Sequence, residues 1–325
     1  MTEEAAAALL QYMARRHAFE REEAIFLMKT AGGLYPKKRH AYQAALVQRT
    51  LEQAAELVNA CGWSGVAVLK DGQVLVDQDG VLFRGDVDNR LFKKRGDSAG
   101  RGMLAHLRAA GIEPRTVLDI GANFGEVAIY FASRLPGARV VAFEPGLENL
   151  AAFERNLAEQ RSPLTNLELI REAVSDRAGD IEFTMGGGDL STVMVDGGLQ
   201  RLKRRKIDIV KVKTNSLENY CRNLGIDSID FMKIDIEGAE PLLSESIGNM
   251  QGRIASAHVE ISRYNSIDAY VALIAAFARA GLTMLDKGVA IEQPAEWLSR
   301  RLEKAPAVNV WFLRQGLETT RGERA

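Results

Sequence analysis

The chain has 325 residues, 46% hydrophobic and 26% charged. This apolar fraction sustains a full core and excludes wholesale disorder, and the length suits two domains or one large domain with an extension. With 42 Lys and Arg against 43 Asp and Glu the formal net charge is -1, which argues against a protein that coats nucleic acid or an anionic membrane.

Cys61 and Cys221 form neither a disulfide framework nor a cysteine zinc site. The first residues, MTEEAAAALLQYMARRH, are acidic where a signal peptide needs a basic region. No stretch approaches the roughly 18 apolar residues of a membrane span. The expected compartment is the cytoplasm, with no membrane insertion.

In chain order, residues 3–30 read as an Ala-rich helix ended by Ala31-Gly32-Gly33. Pro36 opens a second helix, which carries Tyr42, Leu46, Leu51, Leu57 and Val58 on one face and stops near Gly62. Asp71-Gly72 and Asp79-Gly80 then separate β-branched runs, the pattern of tight antiparallel turns. Residues 1–95 are therefore expected to form a helical pair with a β-meander, beside the acceptor entrance or at a homodimer contact, and residues 96–325 a second domain.

From residue 100 strands and helices alternate. A helix over 99–111 precedes a strand at Thr116–Ile120, and a helix follows through Ala132. Next come a strand at Arg139–Phe143, a helix near 146–160 and a strand at Leu167–Val174. Further strands fit Ile229–Ile236 and Ala257–Ile261, with a helix over 266–280. The last two strands, in GLTMLDKG and AVNVWFLR, are placed to pair antiparallel. Short continuous apolar runs such as VVAF and FMKI suit buried parallel strands, and the alternation predicts an α/β doubly wound sheet with ligands at the carboxyl ends of its strands. An insertion over 181–217 offers IEFTM and IVKVKTNSL as a hairpin around a glycine-rich stretch and the basic run RLKRRK. It reads equally well as an active-site loop or as a solvated connection.

The chemistry gathers at strand ends. The first strand of the alternation runs into Asp119-Ile120-Gly121-Ala122-Asn123-Phe124-Gly125. Glycines at a strand-to-helix turn let backbone approach a ligand, but the dinucleotide fingerprint fails because Asn123 and Glu126 stand at two of its glycine positions. Asp119 would repel a pyrophosphate and suits a cationic ligand such as S-adenosylmethionine. Glu144 lies 19 residues beyond Gly125, about where an acid meets ribose hydroxyls, and Pro145 is placed to pack on adenine. Glu172, with Ala173 beside it, is a candidate for the adenine amino group. Asp235, Glu237 and Glu240 crowd the end of the fourth strand, and His258 and Glu260 lie on the fifth. Asp235, Glu237, His258 and Glu260 are the catalytic candidates, with Asp235 favoured as base. Asp235 with Glu237 would suit a divalent ion such as Mg²⁺, and no histidine-rich set argues for zinc. Glu240 reads as a cap for the following helix.

The segments DIGANFG, AFEP, EAVSD, IDFMKIDIEGAE and HVEIS resemble, in order and spacing over about residues 80–315, the FkbM family of S-adenosylmethionine-dependent methyltransferases. The resemblance implies a class I methyltransferase fold and O-methylation of a sugar, glycan or polyketide-type acceptor. It also places Asp119, Gly121, Asn123 and Gly125 along the methionine half of the cofactor, Glu144 at its ribose and Asp235 facing the methyl-transfer site. A non-catalytic S-adenosylmethionine-binding module of the same fold is the alternative. The DIEG segment departs from the (D/N)PP(Y/F/W) motif of amino-directed nucleic-acid methyltransferases, so no nucleic-acid partner is expected.

Overall fold

A computed structural model describes residues 65–68, 74–85, 100–185 and 208–314. The two expected N-terminal helices, Asp71-Gly72 and the run RLKRRK lie outside the described residues. The chain divides into two compact units: residues up to Gly102 together with Arg155–Pro163, and Met103–Glu154 together with residues from Leu164 on.

In the first unit, β1 (Gly65–Val68), β2 (Val74–Gln78) and β3 (Val81–Gly85) form an antiparallel meander. Asp79 and Gly80 turn between β2 and β3 with φ of 55° and 90°. A two-residue hairpin turn of this hand requires positive φ at both centres, which is why Asp-Gly marks it in sequence. The Gly80 N–H donates to Asp77 Oδ1 at 2.6 Å. Along the outer strand the Arg84 N–H donates to Asn156 Oδ1 at 2.7 Å, and Gln160 accepts from the Leu82 N–H and donates back to its carbonyl.

The second unit is built on an eight-stranded sheet of order β13-β12-β14-β11-β10-β4-β5-β6. Its strands are β4 (Thr116–Ile120), β5 (Arg139–Phe143), β6 (Leu167–Ile170), β10 (Phe231–Ile234), β11 (Ser256–Ser262), β12 (Leu282–Asp286), β13 (Val289–Ala290) and β14 (Ala307–Arg314). β6, β5, β4, β10 and β11 run parallel, whereas β14 lies antiparallel between β11 and β12. The expected antiparallel pairing of the last two segments is present, with Met284 opposite Phe312. The runs that read as continuously apolar are buried throughout: Val140, Val141, Ala142 and Phe143 on β5, and Phe231, Met232 and Ile234 on β10.

The helices are α1 (Gly100–Ala109), α2 (Glu126–Arg134), α3 (Leu147–Ala158), α4 (Leu217–Asn223), α5 (Ser244–Asn249), α6 (Ile267–Arg279) and α7 (Pro294–Lys304). This is the doubly wound α/β architecture expected. The Ser266 hydroxyl caps α6 by accepting from the Ala269 N–H at 3.2 Å.

One expected strand is two. The run 167–174 breaks at Arg171-Glu172, and β7 (Ala173–Ser175) leaves the main sheet to pair with β9 (Asp208–Ser216). β9 also pairs antiparallel with β8 (Gly179–Met185), the predicted hairpin, with Phe183 opposite Val210. The break follows from a second set of partners: the Thr214 hydroxyl lies 3.2 Å from the Ala173 carbonyl and 2.8 Å from the Ser175 hydroxyl. Among the described residues no helix is long and apolar enough to cross a membrane.

Candidate active site

The carboxyl ends of β4, β5, β10 and β11 lie side by side and carry the residues singled out in the sequence. After β4 the chain turns through Gly121, Asn123 and Gly125 with φ of 82°, 52° and 87°. Left-handed backbone at three alternating positions explains the residue types: glycine pays no steric penalty there, and asparagine is among the most tolerant of the rest. Gly121 is fixed by space as well, because a Cβ there would stand 2.0 Å from the Asp235 carbonyl oxygen. The N–H groups of Gly121 and Ala122 both donate to the Phe143 carbonyl, tying the turn to the end of β5.

Glu144, 4% exposed, braces that turn from the neighbouring strand. Its Oε2 accepts from the Asn123 N–H at 2.8 Å, and its Oε1 accepts from the Gly146 N–H at 2.8 Å and from Asn149 Nδ2 at 3.1 Å. Burial raises its pKa, opposed by these donors and by the positive charge of Lys233. Pro145, half-buried, follows at the strand end.

Asp119 lies at the end of β4, beneath the turn. It is fully buried, with Oδ2 accepting from the Ala128 N–H in the first turn of α2 at 3.0 Å and Oδ1 3.4 Å from Lys233 Nζ. Its carboxylate therefore meets an internal cation, the Lys233 ammonium. Lys233 is paired with Asp119 across neighbouring strands and shares its face. Its ammonium also lies 3.4 Å from Asp235 Oδ2 and donates to the Gly121 carbonyl at 2.8 Å. Burial works to lower the lysine pKa, but Asp235 and Asp119 more than offset it and the pKa is raised. Lys233 thus binds the strand-end acids and the glycine turn into one charged unit.

Oxygen atoms of Asp235, Glu237 and Glu260 lie within 4.8 Å of one another. The structure brings these three expected residues together and leaves the fourth out. His258 sits two residues deeper on β11, opposite Lys233 on one side and Trp311 on the other, 3% exposed with its ring 4.8 Å from Trp311 edge-on. It is a packed core histidine, one layer beneath the acids. Glu172 is likewise engaged elsewhere: the Tyr220 hydroxyl lies 2.8 Å from its Oε2 and 3.0 Å from the carbonyl of Ala173. Both residues stand at the break where β7 departs from the main sheet.

Glu240, expected as a helix cap, reaches backwards instead. Its Oε1 accepts from the N–H groups of Ile236 and Gly238 at 3.0 and 3.1 Å. Those residues flank Glu237, whose φ of 57° costs an L-residue roughly 1–2 kcal/mol, and Gly238 follows at 101°. Sequence reasoning missed Lys233 and gave Glu240 a different role. Strand alternation was the available signal for Lys233, which shares a face with Asp235 two residues on.

Residues 119–261 match the family described as the methyltransferase FkbM domain. This segment, less than half of the chain, is similar to that methyltransferase domain. The matched segment opens on Asp119 and closes one residue after Glu260, so it contains every strand-end acid described above. Two relatives are 2-O-methyltransferase NoeI of Sinorhizobium fredii, 31% identical over 134 residues, and methyltransferase sdnD of Sordaria araneosa, 25% identical over 148 residues. The matches cover 38% of this chain in both cases, 54% of the first relative and 57% of the second, so the chain spans little more than half the length of these curated proteins. A solved methyltransferase FkbM from Methylobacillus flagellatus shares 14% identity over 61% of this chain and 43% of its own, with a TM-score of 0.36. The strand order itself places β14, the last strand of this unit, antiparallel between β11 and β12.

Proposed function

We propose that the chain binds S-adenosylmethionine and directs its methyl group to a hydroxyl oxygen of a small polyhydroxylated acceptor, a sugar, glycan or polyketide-type molecule. The observation that carries this reading is the set of acidic residues at the ends of β5, β10 and β11 around the glycine turn. Such a set repels a dinucleotide pyrophosphate and suits a ligand that combines a ribose with a cationic amino-acid end. The family match and the printed name of the S. fredii relative, a 2-O-methyltransferase, support oxygen as the acceptor atom.

When bound, the cofactor supplies an activated methyl group on a sulfonium. The chain's own part is positioning and proton handling. Glu144 has lone pairs beyond its three donors with which to accept from ribose hydroxyls. Gly121, Asn123 and Gly125 shape backbone against the methionine half, and Asp119 and Lys233 hold that backbone from below. Asp235 faces the cationic end of the ligand. The Lys233 ammonium lies beside it, and the acceptor hydroxyl gives its proton to one of the three clustered carboxylates, Asp235, Glu237 or Glu260. Orientation for in-line displacement supplies much of the remaining acceleration.

Asp235, Glu237 and Glu260 are also the oxygen set that a hard divalent ion such as Mg²⁺ would use. Lys233 already places a positive charge 3.4 Å from one of them, which opposes a second cation, and no step is routed through a metal. Calorimetric titration with S-adenosylhomocysteine and with NAD, followed by transfer of a labelled methyl group to a panel of methyl glycosides, tests the proposal. Binding of the former, transfer to a glycoside and indifference to a chelator are expected. Binding of NAD alone overturns the reading, cofactor binding without transfer to any hydroxyl favours a non-catalytic module, and chelator-sensitive transfer restores the metal.

A further inference from the structure

The turn that carries Asp235 and Glu237 is clamped from two sides by residues outside the acid group. On one side the Glu240 carboxyl, 1% exposed, accepts from the N–H groups of Ile236 and Gly238. Its other oxygen accepts from the Tyr270 hydroxyl at 3.1 Å, and Tyr270 is fully buried on α6. That hydroxyl in turn lies 3.3 Å from both the N–H and the hydroxyl oxygen of Ser262, the last residue of β11. On the other side Asn265 Nδ2 donates to the Gly238 carbonyl at 3.1 Å. The Gly238 α-carbon packs so closely that a Cβ there would stand 2.5 Å from the Cβ of Tyr264. The backbone at Glu237 and Gly238 is left-handed at both residues, a conformation that reverts unless its surroundings over-determine it.

We infer that Glu240 is a positioning residue: through Ile236 and Gly238, and braced by Tyr270, it sets the aim of Asp235 and Glu237 toward Glu260. The inference rests on the proposed function, in which these carboxylates face cofactor and acceptor. Glu240 itself is enclosed and touches neither. A buried acceptor with two convergent backbone donors fixes a turn more firmly than a solvated one, because the donors have no water to turn to. Removing the carboxyl therefore leaves the Ile236 and Gly238 amides without a partner and frees the turn to relax, while the core beneath it stays packed.

The test uses the full chain with Glu240→Ala, Glu240→Gln and Tyr270→Phe, and Leu302→Ala on α7 as a control that removes buried bulk away from the turn. Amide hydrogen exchange at Ile236 and Gly238 is compared with that at Met232 inside β10, and S-adenosylhomocysteine affinity is measured well below the melting temperature. Glu240→Ala is expected to speed exchange at the two turn amides at least about tenfold more than at Met232, and to weaken affinity about tenfold. Glu240→Gln keeps an acceptor oxygen and is expected to restore most of both, with Tyr270→Phe in between. Leu302→Ala is expected to lower the melting temperature with affinity intact. Should Glu240→Ala not fold, a Tyr270→Phe variant with wild-type exchange at both amides overturns the inference. Equal exchange in Glu240→Ala and wild type, or equal loss of affinity in Glu240→Gln and Glu240→Ala, overturns it as well. If the wild type binds no S-adenosylhomocysteine, the proposed function fails, and the exchange rates alone then decide whether Glu240 holds the turn.

Discussion

Lys233 and Asp119 meet on neighbouring strands with Nζ 3.4 Å from Oδ1, their side chains 4% and 0% exposed. Breaking one member of a buried pair leaves the other as an uncompensated charge, a loss of about 3–5 kcal/mol. Lys233→Met should show that loss in urea unfolding. The double variant Lys233→Met with Asp119→Asn should recover part of it, since Asp119 then leaves no uncompensated charge and only Asp235 remains. Strict additivity of the two changes would mean that the pair is not coupled.

Glu144→Ala removes the acceptor for the Asn123 and Gly146 N–H groups together. Each unsatisfied buried donor costs about 1–3 kcal/mol, so a drop of about 2–6 kcal/mol in unfolding free energy is expected. S-adenosylmethionine affinity should fall at least about tenfold, the scale of losing one hydrogen bond to a charged group. Glu144→Gln, which keeps one acceptor oxygen, should be milder in both. Unfolding curves and titrations on the two variants check this.

Gly121 and Gly252 both have positive φ, 82° and 68°, but only Gly121 is crowded, with Asp235 backbone where a Cβ would go. Gly252→Ala should cost about 1–2 kcal/mol, the backbone penalty alone. Gly121→Ala should cost more and also displace Asp235, so that cofactor affinity is lost with it. Similar stability and intact affinity for both variants would contradict the close approach.

Burial pushes the Glu240 carboxyl up to about 7 from its ordinary 4.5, partly offset by the backbone donors. The unfolded chain releases this proton near the ordinary value, whereas the folded chain keeps it until near 7. Below about 4.5 the two states hold it equally and the group's contribution to stability is full. As pH rises toward 7 that contribution shrinks, by on the order of 3 kcal/mol in total, and it is level above. Asp235 and Tyr270 are the titratable neighbours that couple to it. Urea unfolding between about pH 5 and 8 should show wild-type stability falling relative to Glu240→Gln across this window. A constant difference between the two would refute the shift.

Much of the fold was legible because its signals are local. Asp79-Gly80 marked its turn, the apolar runs of β5 and β10 marked buried strands, and the glycine-asparagine alternation after β4 matched three left-handed residues. The break at Arg171-Glu172 was not legible, since Ala173–Ser175 continue the apolar run and only their pairing with β9 takes them out of the sheet. The sequence likewise pointed to acids at strand ends but not to how their charges are offset. A lysine inside a buried strand reads as an exception until Asp119 and Asp235 are seen around it. His258 was a catalytic candidate from its place on the fifth strand beside Glu260, and its packing beneath Glu260 involves Trp311, a strand and some fifty residues away.

β14 pairs on one edge with β11 and on the other with β12, although it follows both in the chain. During synthesis β12 therefore has no place in the sheet until the residues of β14 have left the ribosome, and β11 presents an unpaired edge for the whole interval. Nascent chains arrested before Ala307 should be recognised by chaperones that bind exposed strand edges, and release should coincide with emergence of Ala307–Arg314.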